Sequence, residues 1–430
     1  MTPTANISAA LVSVGGSAAP VLFTLRRHRP AHVWYFCSAG SRQVADEIHA
    51  QLDWHPAPRF IEVERFEELG PCYRELRRKI PEILDETKVP PAAVLVDYTG
   101  GTKTMSAALV LAATELFVQF SYVGGEQREK GGLGVAVDGK ERVFCQGNPW
   151  SDLAIREVER ARDLWAGCQF EGAARVLREV ATREVATRVP HQLRFEAVAD
   201  LADAMAARHR LDFKEAVKKL GGVQKSLPAL FDGHNDHGLI AFTSECLQVC
   251  DACTKDTASE TFLRELLDNT LRTAAQGRYE DAAARLYRAM EMQGQLWLAE
   301  SAKGLFVNGH CRREDVSNMP DSLKDLPFCQ PGKSGEVKLS LEQLYLALNQ
   351  LGDSRARKVA EDLAQDRKSR WRQATEKRNT SILAHGVSPI GRDGFETMKL
   401  LSAEFLGFDL TATARPIPSI DPRWFSSPSP

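Results

Sequence analysis

The chain has 430 residues, 43% hydrophobic and 26% charged, with a formal net charge of -2. That length suits two or three soluble domains with ample core, and the charge balance excludes capture of nucleic acid by global basicity, leaving only local patches. The nine cysteines follow no regular framework, which points to a reducing, cytoplasmic setting; the first residues lack the basic and apolar regions of a secretory signal, and no apolar run approaches the roughly 20 residues of a membrane span.

Residues 10–14, Ala-Leu-Val-Ser-Val, read as a first strand, followed by Gly15-Gly16-Ser17 and a helix through Val21 to Leu25. His32 to Cys37 is a second strand, leading through Ser38-Ala39-Gly40-Ser41 into a helix from Arg42 to Leu52. Phe60 to Val63 is a third strand, and Cys72 to Glu86 a helix expected to kink or split at Pro81. Ala93 to Tyr98, short and mostly apolar, has the pattern of a buried parallel strand. Thr99-Gly100-Gly101-Thr102-Lys103 is too polar and Gly-rich for strand or helix interior, and from Thr104 the Met, Ala and Leu residues suit a helix. Phe120 to Val123 is a further strand, and Val135 to Val137 with Arg142 to Cys145 read as a closing hairpin.

Strands alternating with helices imply a parallel α/β sheet with right-handed crossovers, whose ligands bind outside the carboxyl ends of the strands near the switch point. Three small polar loops occupy such ends: Ser13 to Ser17, Ser38 to Ser41, and Thr99 to Lys103. Gly124-Gly125-Glu126 is a candidate fourth. Small residues are also what any strand-to-helix turn prefers, so each loop alone decides nothing. At the mouth of the helix after Gly101, unpaired N–H groups and the Lys103 charge favour a phosphate. The nucleoside triphosphate P-loop pattern is absent: it needs Gly immediately before the Lys and again five positions earlier, where Thr102 and Asp97 stand.

After Pro149-Trp150, helical periodicity takes over to about residue 407. Asn308 to Gly335, rich in Gly, Pro and Asp, reads as a surface excursion, and the Pro/Ser-rich residues from Ala414 onward as an extended or frayed tail. Cys246, Cys250 and Cys253 match an iron–sulfur spacing, but i, i+4, i+7 is also one helix face, and the apolar flanks favour buried core thiols. His310-Cys311 lacks the partners of a zinc site. A long basic amphipathic helix is expected from near Ser354, carrying Arg367, Lys368, Arg370, Arg372 and Lys377 and ending at Gly386 as a left-handed cap. In such a helix Arg378 and His385, seven apart, lie on one face, with Asn379 one step round. An Arg and a His at similar spacing also occur at Arg26 or Arg27 with His32, and at Arg42 with His49, so spacing alone leaves a solvated helix end with a capping His as the competing reading.

The wording of two stretches goes further. Asp97-Tyr-Thr-Gly-Gly-Thr-Lys-Thr-Met105 closely resembles the signature of CRISPR-associated Rossmann-fold (CARF) domains, which sense cyclic oligoadenylates in type III CRISPR defence. Arg378-Asn379, five residues, then His385-Gly386 resembles the active motif of HEPN ribonuclease domains. Together they resemble the ancillary CARF–HEPN ribonucleases. The resemblance implies a Rossmann-like α/β CARF domain at 1–150, an all-α connector at 151–255, a helical HEPN domain at 256–410 and a tail at 411–430. Outside the two motifs it is general.

The resemblance implies a homodimer in which one ring lies across a two-fold axis, matching an isologous interface. Thr99, Gly100, Gly101, Thr102 and Lys103 would take the phosphates, with Ser13, Gly15, Gly16, Ser17 and Ser38 lining the remaining contacts. Cyclic tetra-adenylate is the expected activator, with cyclic hexa-adenylate as the alternative, and no cofactor or metal is implied. The paired HEPN domains would cut single-stranded RNA at Arg378, Asn379 and His385. RNA carries its own 2′-hydroxyl nucleophile, and a histidine of pKa about 6.5 moves protons at neutral pH. Some relatives also cleave their ring in the CARF pocket. Two other classes stay open: a non-catalytic ring sensor, and a ring-gated DNA nuclease, which would need a metal cluster on a mixed sheet in the C-terminal half.

Overall fold

The computed structural model of the chain describes residues 7–125, 141–148, 154–182, 189–231, 238–381, 383, 386–408, 410 and 415–425. It divides into two compact units, Met1–Ile155 and Arg156–Pro430, each with its own hydrophobic core.

In the first unit, β1 (Ala9–Ser13), α1 (Ala19–His28), β2 (His32–Ser38), α2 (Arg42–Ala50), β3 (Ala57–Val63), α3 (Leu69–Thr87), β4 (Val94–Asp97), α4 (Lys103–Ala113), β5 (Gln119–Gly125) and β6 (Glu141–Gly147) follow in order. The sheet runs β3-β2-β1-β4-β5-β6. Its first five strands pair in parallel, and β6 pairs antiparallel with β5. The residues 135–137 expected as a strand lie outside the described residues.

Alternation along the strands sends Leu11, Trp34, Phe36, Val94 and Val96 to a face covered by α3 and α4. Ala10, Val12, Val33 and Tyr35 pack on the opposite face with residues of α1 and α2. Burial on both faces is why these strands read as unbroken apolar runs. The strand order reverses between β1 and β4, which makes their carboxyl ends the switch point.

Of the two outcomes expected at Pro81, a split does not occur: α3 runs unbroken from Leu69 to Thr87 with Pro81 inside. A helix-interior proline costs about 3 kcal/mol. Cys72, Leu76, Ile80 and Ile83 are buried along the same helix, and at about 2 kcal/mol per large apolar side chain they outweigh it.

The second unit is helical. Its helices are α5 (Ile155–Ala166), α6 (Phe170–Ala181), α7 (Val189–His209), α8 (Phe213–Leu230), α9 (Leu239–Lys255), α10 (Glu260–Ala275) and α11 (Tyr279–Ser301). Then come α12 (Leu341–Gln350), α13 (Arg357–Leu363), α14 (Arg370–Asn379) and α15 (Arg392–Leu406). Cys246, Cys250 and Cys253 are all buried on one side of α9, as core thiols should be, and burial pushes each of them up, to about 11, 12 and 11.

A buried ion cluster ties three of these helices together. Glu265 on α10 accepts from Arg208 of α7 at 3.0 and 2.6 Å and from Arg272 at 2.5 Å, while Arg208 also reaches Cys246 Sγ at 3.0 Å. Burial opposes the Glu265 charge, but Arg272 and Arg208 together outweigh it and hold its carboxyl below the ordinary range.

Two expectations are corrected here. The stretch 308–335 is not a mere surface excursion: Cys311, Met319, Leu323 and Cys329 are buried in the main core of this unit, and Cys311 belongs to a short ladder between residues 310–311 and 337–338. Nor do residues 415–425 fray. Trp165 Nε1 donates to Pro418 O at 2.8 Å, the Phe195 and Phe425 rings stack 4.3 Å apart, and Trp424 is buried. Three large apolar residues among the prolines, Ile420, Trp424 and Phe425, give this segment its hold.

Candidate functional sites

The first candidate lies at the β1–β4 switch point. Ser13 is fully buried at the end of β1, and its Oγ donates to Gly100 O at 2.6 Å. Ser106 of α4 donates to the same carbonyl at 2.9 Å. The two loops touch so closely that only glycines fit. A Cβ on Gly100 would overlap Ser13 O, and one on Gly15 would sit 2.7 Å from Gly101 N. Gly101 itself has φ +81, a conformation glycine adopts without penalty.

Beneath the loop lies Asp97, fully buried at the end of β4. Its carboxylate accepts from Thr24 Oγ1 of α1 at 2.7 Å, from Ser121 Oγ of β5 at 2.7 Å and from Thr99 N at 3.0 Å. Thr99 Oγ1 in turn accepts from Val123 N at 2.8 Å. Thr102 is the N-cap of α4, accepting from Met105 N at 3.2 Å and donating to Phe66 O at 3.1 Å. Lys103 is the first helical residue and is exposed. The N–H groups of this first turn have no carbonyl to meet within the helix, and the helix dipole adds positive potential at the same point. The arrangement is chemically an anion cradle.

Of the residues expected to line it, Ser13, Gly15, Gly100 and Gly101 are in direct contact, and Gly16 and Ser17 are exposed on the adjoining turn. Ser13 braces the loop from inside. Ser38, at the end of the neighbouring β2, is also buried and closes a capping box with Ser41, so its hydroxyl already has partners. Gly124 and Gly125 end β5, and Glu126 lies outside the described residues. Tyr98 and Tyr122 stack at 5.7 Å beside the loop. Thr24 and Ser121 are not singled out by the sequence, and Asp97 stands out there only as the first residue of the motif, without its bracing role.

The second candidate is the end of α14. The expected long helix from Ser354 is instead four pieces: a 3-10 turn at Ser354–Ala356, then α13, then a second 3-10 turn at Asp366–Lys368, then α14. Asp366 has φ 52, and the break is capped by Asp362. That carboxylate accepts from Ser369 Oγ at 2.6 Å, from Trp371 N at 2.9 Å and from Arg370 N at 3.3 Å. The basic face is correspondingly reduced. Arg370 pairs with Glu404, and Arg372 with Glu342 and Asp366, which leaves Arg367, Lys368 and Lys377 as its remaining cations.

α14 ends at Asn379, short of the end expected at Gly386, and Gly386 is not a left-handed cap. Thr380 Oγ1 donates back to Glu376 O at 3.0 Å. Gly386 N donates to Ser381 O at 3.0 Å, and its backbone passes so near Thr380 that any Cβ would overlap the Thr380 carbonyl. Arg378 is half-buried, its guanidinium 4.4 Å from the ring centroid of Tyr287 on α11, and its Nη1 donates to Asn379 Oδ1 at 3.2 Å. Burial raises the Tyr287 hydroxyl above its usual range, with Arg378 opposing. His385 lies outside the described residues. Among the described residues, no group of three or more His, Cys, Asp or Glu is placed to hold a metal ion, and no helix is long and apolar enough to cross a membrane.

Residues 252–409 match the family profile of the Csm6 HEPN domain. Among solved structures, Enterococcus italicus Csm6 bound to cyclic hexa-2′-fluoro-hexa-dAMP superposes with a TM-score of 0.54 at 9% identity, covering 95% of each chain. Can2 from Sulfobacillus thermosulfidooxidans, in complex with cyclic tetra-adenylate, covers 53% of this chain and 69% of its own at 12% identity, with a TM-score of 0.25, too low to bear on the fold. No curated protein sequence matches.

Proposed function

For a chain with the CARF–HEPN fold and a Csm6-type HEPN domain at residues 252–409, we propose that it is a cyclic oligoadenylate-activated endoribonuclease that works as a homodimer. The observation that carries this reading is a phosphate-ready glycine loop, Thr99–Lys103, at the switch point of a chain whose second unit contains that HEPN domain. Each protomer offers Lys103 and the first-turn N–H groups of α4 to half of a ring whose two-fold symmetry matches the dimer. Gly15 and Gly16 keep the neighbouring turn low enough for close approach. Cyclic tetra-adenylate is the activator proposed first, cyclic hexa-adenylate the alternative.

RNA cleavage follows from the chemistry of the second motif. The 2′-hydroxyl of the substrate attacks the adjacent phosphorus, and the bond to the 5′-oxygen breaks. The products are a 2′,3′-cyclic phosphate and a 5′-hydroxyl. His385 moves a proton in this exchange. Arg378 stabilises the charge that builds on the phosphate, and Asn379, already bonded to Arg378, orients the pair. Since the nucleophile belongs to the substrate, the reaction requires no metal.

The test is a fluorogenic single-stranded RNA in EDTA, with each ring or none, on wild type and His385→Ala. Cleavage that needs a ring, survives EDTA and is lost in the variant is the expected result. Ring binding without cleavage would leave a non-catalytic sensor, and cleavage of DNA restored only by a divalent cation would leave a metal-dependent nuclease.

A further inference from the structure

Helix α11 touches the RNA-cleaving motif at two separate points. Tyr287 lies under the Arg378 guanidinium. Glu280, one residue into the same helix, accepts from Leu383 N through Oε1 at 2.8 Å; Leu383 is two residues before His385 in the chain. Glu280 and Tyr287 are seven apart, about 20° from eclipsed on an α-helix, and so project from one face. Both are half-buried, and α11 is anchored below them by Ala282, Ala283, Leu286 and Met290, all in the core. The motif by itself has little to fix it: α14 ends one residue after Arg378.

We propose that Glu280 and Tyr287 are positioning residues for RNA cleavage, with α11 as the rigid template that holds the Arg378 guanidinium at one point and the backbone at Leu383 at another. This rests on the function proposed above. Neither side chain is asked to react. Tyr287 holds the guanidinium by its ring face, an attraction that also restricts the arginine's rotamers, and Glu280 fixes the backbone at Leu383 by accepting its N–H with a charge-assisted bond. Misplacing catalytic groups by about 1 Å costs catalysis on the order of a hundredfold, so loosening one of two braces should lower kcat by about tenfold and leave KM and ring affinity unchanged.

The experiment compares Tyr287→Leu and Tyr287→Phe, and Glu280→Ala and Glu280→Gln, as full-length proteins with ring and RNA. Leu and Ala should show the kcat loss. Phe, which keeps the ring face, and Gln, which keeps an acceptor of the same reach, should stay within about twofold of wild type. Equal loss in Phe and Leu, or full activity in Leu and Ala, overturns the proposal. Amide exchange over residues 380–388 is followed in parallel. It should quicken in Glu280→Ala and not in Glu280→Gln, and equal exchange in both contradicts the brace. Wild type inactive with every ring refutes the ribonuclease reading instead, and the exchange result still decides the contact.

Discussion

Asp97 serves three elements at once: Thr24 on α1, Ser121 on β5 and the Thr99 N–H of the glycine loop all donate to a carboxylate with no exposed surface. Removing it leaves two buried hydroxyls and the half-buried Thr99 N–H without an acceptor, and each unmatched buried group costs about 1–3 kcal/mol. Asp97→Ala should therefore lower unfolding stability by on the order of 3 kcal/mol, read as a fall in urea midpoint at unchanged slope, and Asp97→Asn, which keeps one acceptor, by less. An unchanged midpoint in the alanine variant would mean that the network carries no weight. The role was only partly legible beforehand. The motif around Asp97 stood out in the sequence, but Thr24 and Ser121 are 73 and 24 residues away and meet it only once the sheet is assembled.

At the scale of elements, Glu265 makes the clearest case. It is fully buried, takes both Arg208 and Arg272, and so fastens α10 to α7. Glu265→Ala leaves two arginines buried and uncompensated, and should cost about 4 kcal/mol of stability, seen as a large drop in melting temperature; a shift within error would contradict the ion cluster as a fastening. The sequence showed the elements of the first unit well, because strands buried on both faces and a Gly-Gly turn leave strong local patterns. Where it misled, burial or capping overruled the local pattern. Pro81 stays inside α3 because its neighbours are buried. The Pro/Ser-rich end docks through Trp424 and Phe425. The basic run before Arg378 breaks where Asp362 caps the freed N–H groups of Arg370 and Trp371. The Arg–His motif stands out by its wording, while the helix expected to carry it on to Gly386 ends at Asn379.

At the scale of the whole molecule, the proposed activity is a coupling of two sites, an anion cradle in the first unit and a cleavage motif in the second. Coupling requires the ring to favour the cleaving state by its own differential affinity. The two sites should then fail differently. The most direct measurement titrates RNA cleavage against ring concentration for wild type, Lys103→Ala and His385→Ala, with ring binding measured on each by calorimetry. Lys103→Ala should raise the half-activating concentration about tenfold, the equivalent of about 1.4 kcal/mol of phosphate attraction, and reach the wild-type plateau. His385→Ala should bind the ring as wild type does and cleave nothing. Cleavage at full rate without any ring, or a Lys103→Ala curve that overlays wild type, would contradict ring-gated cleavage through this cradle.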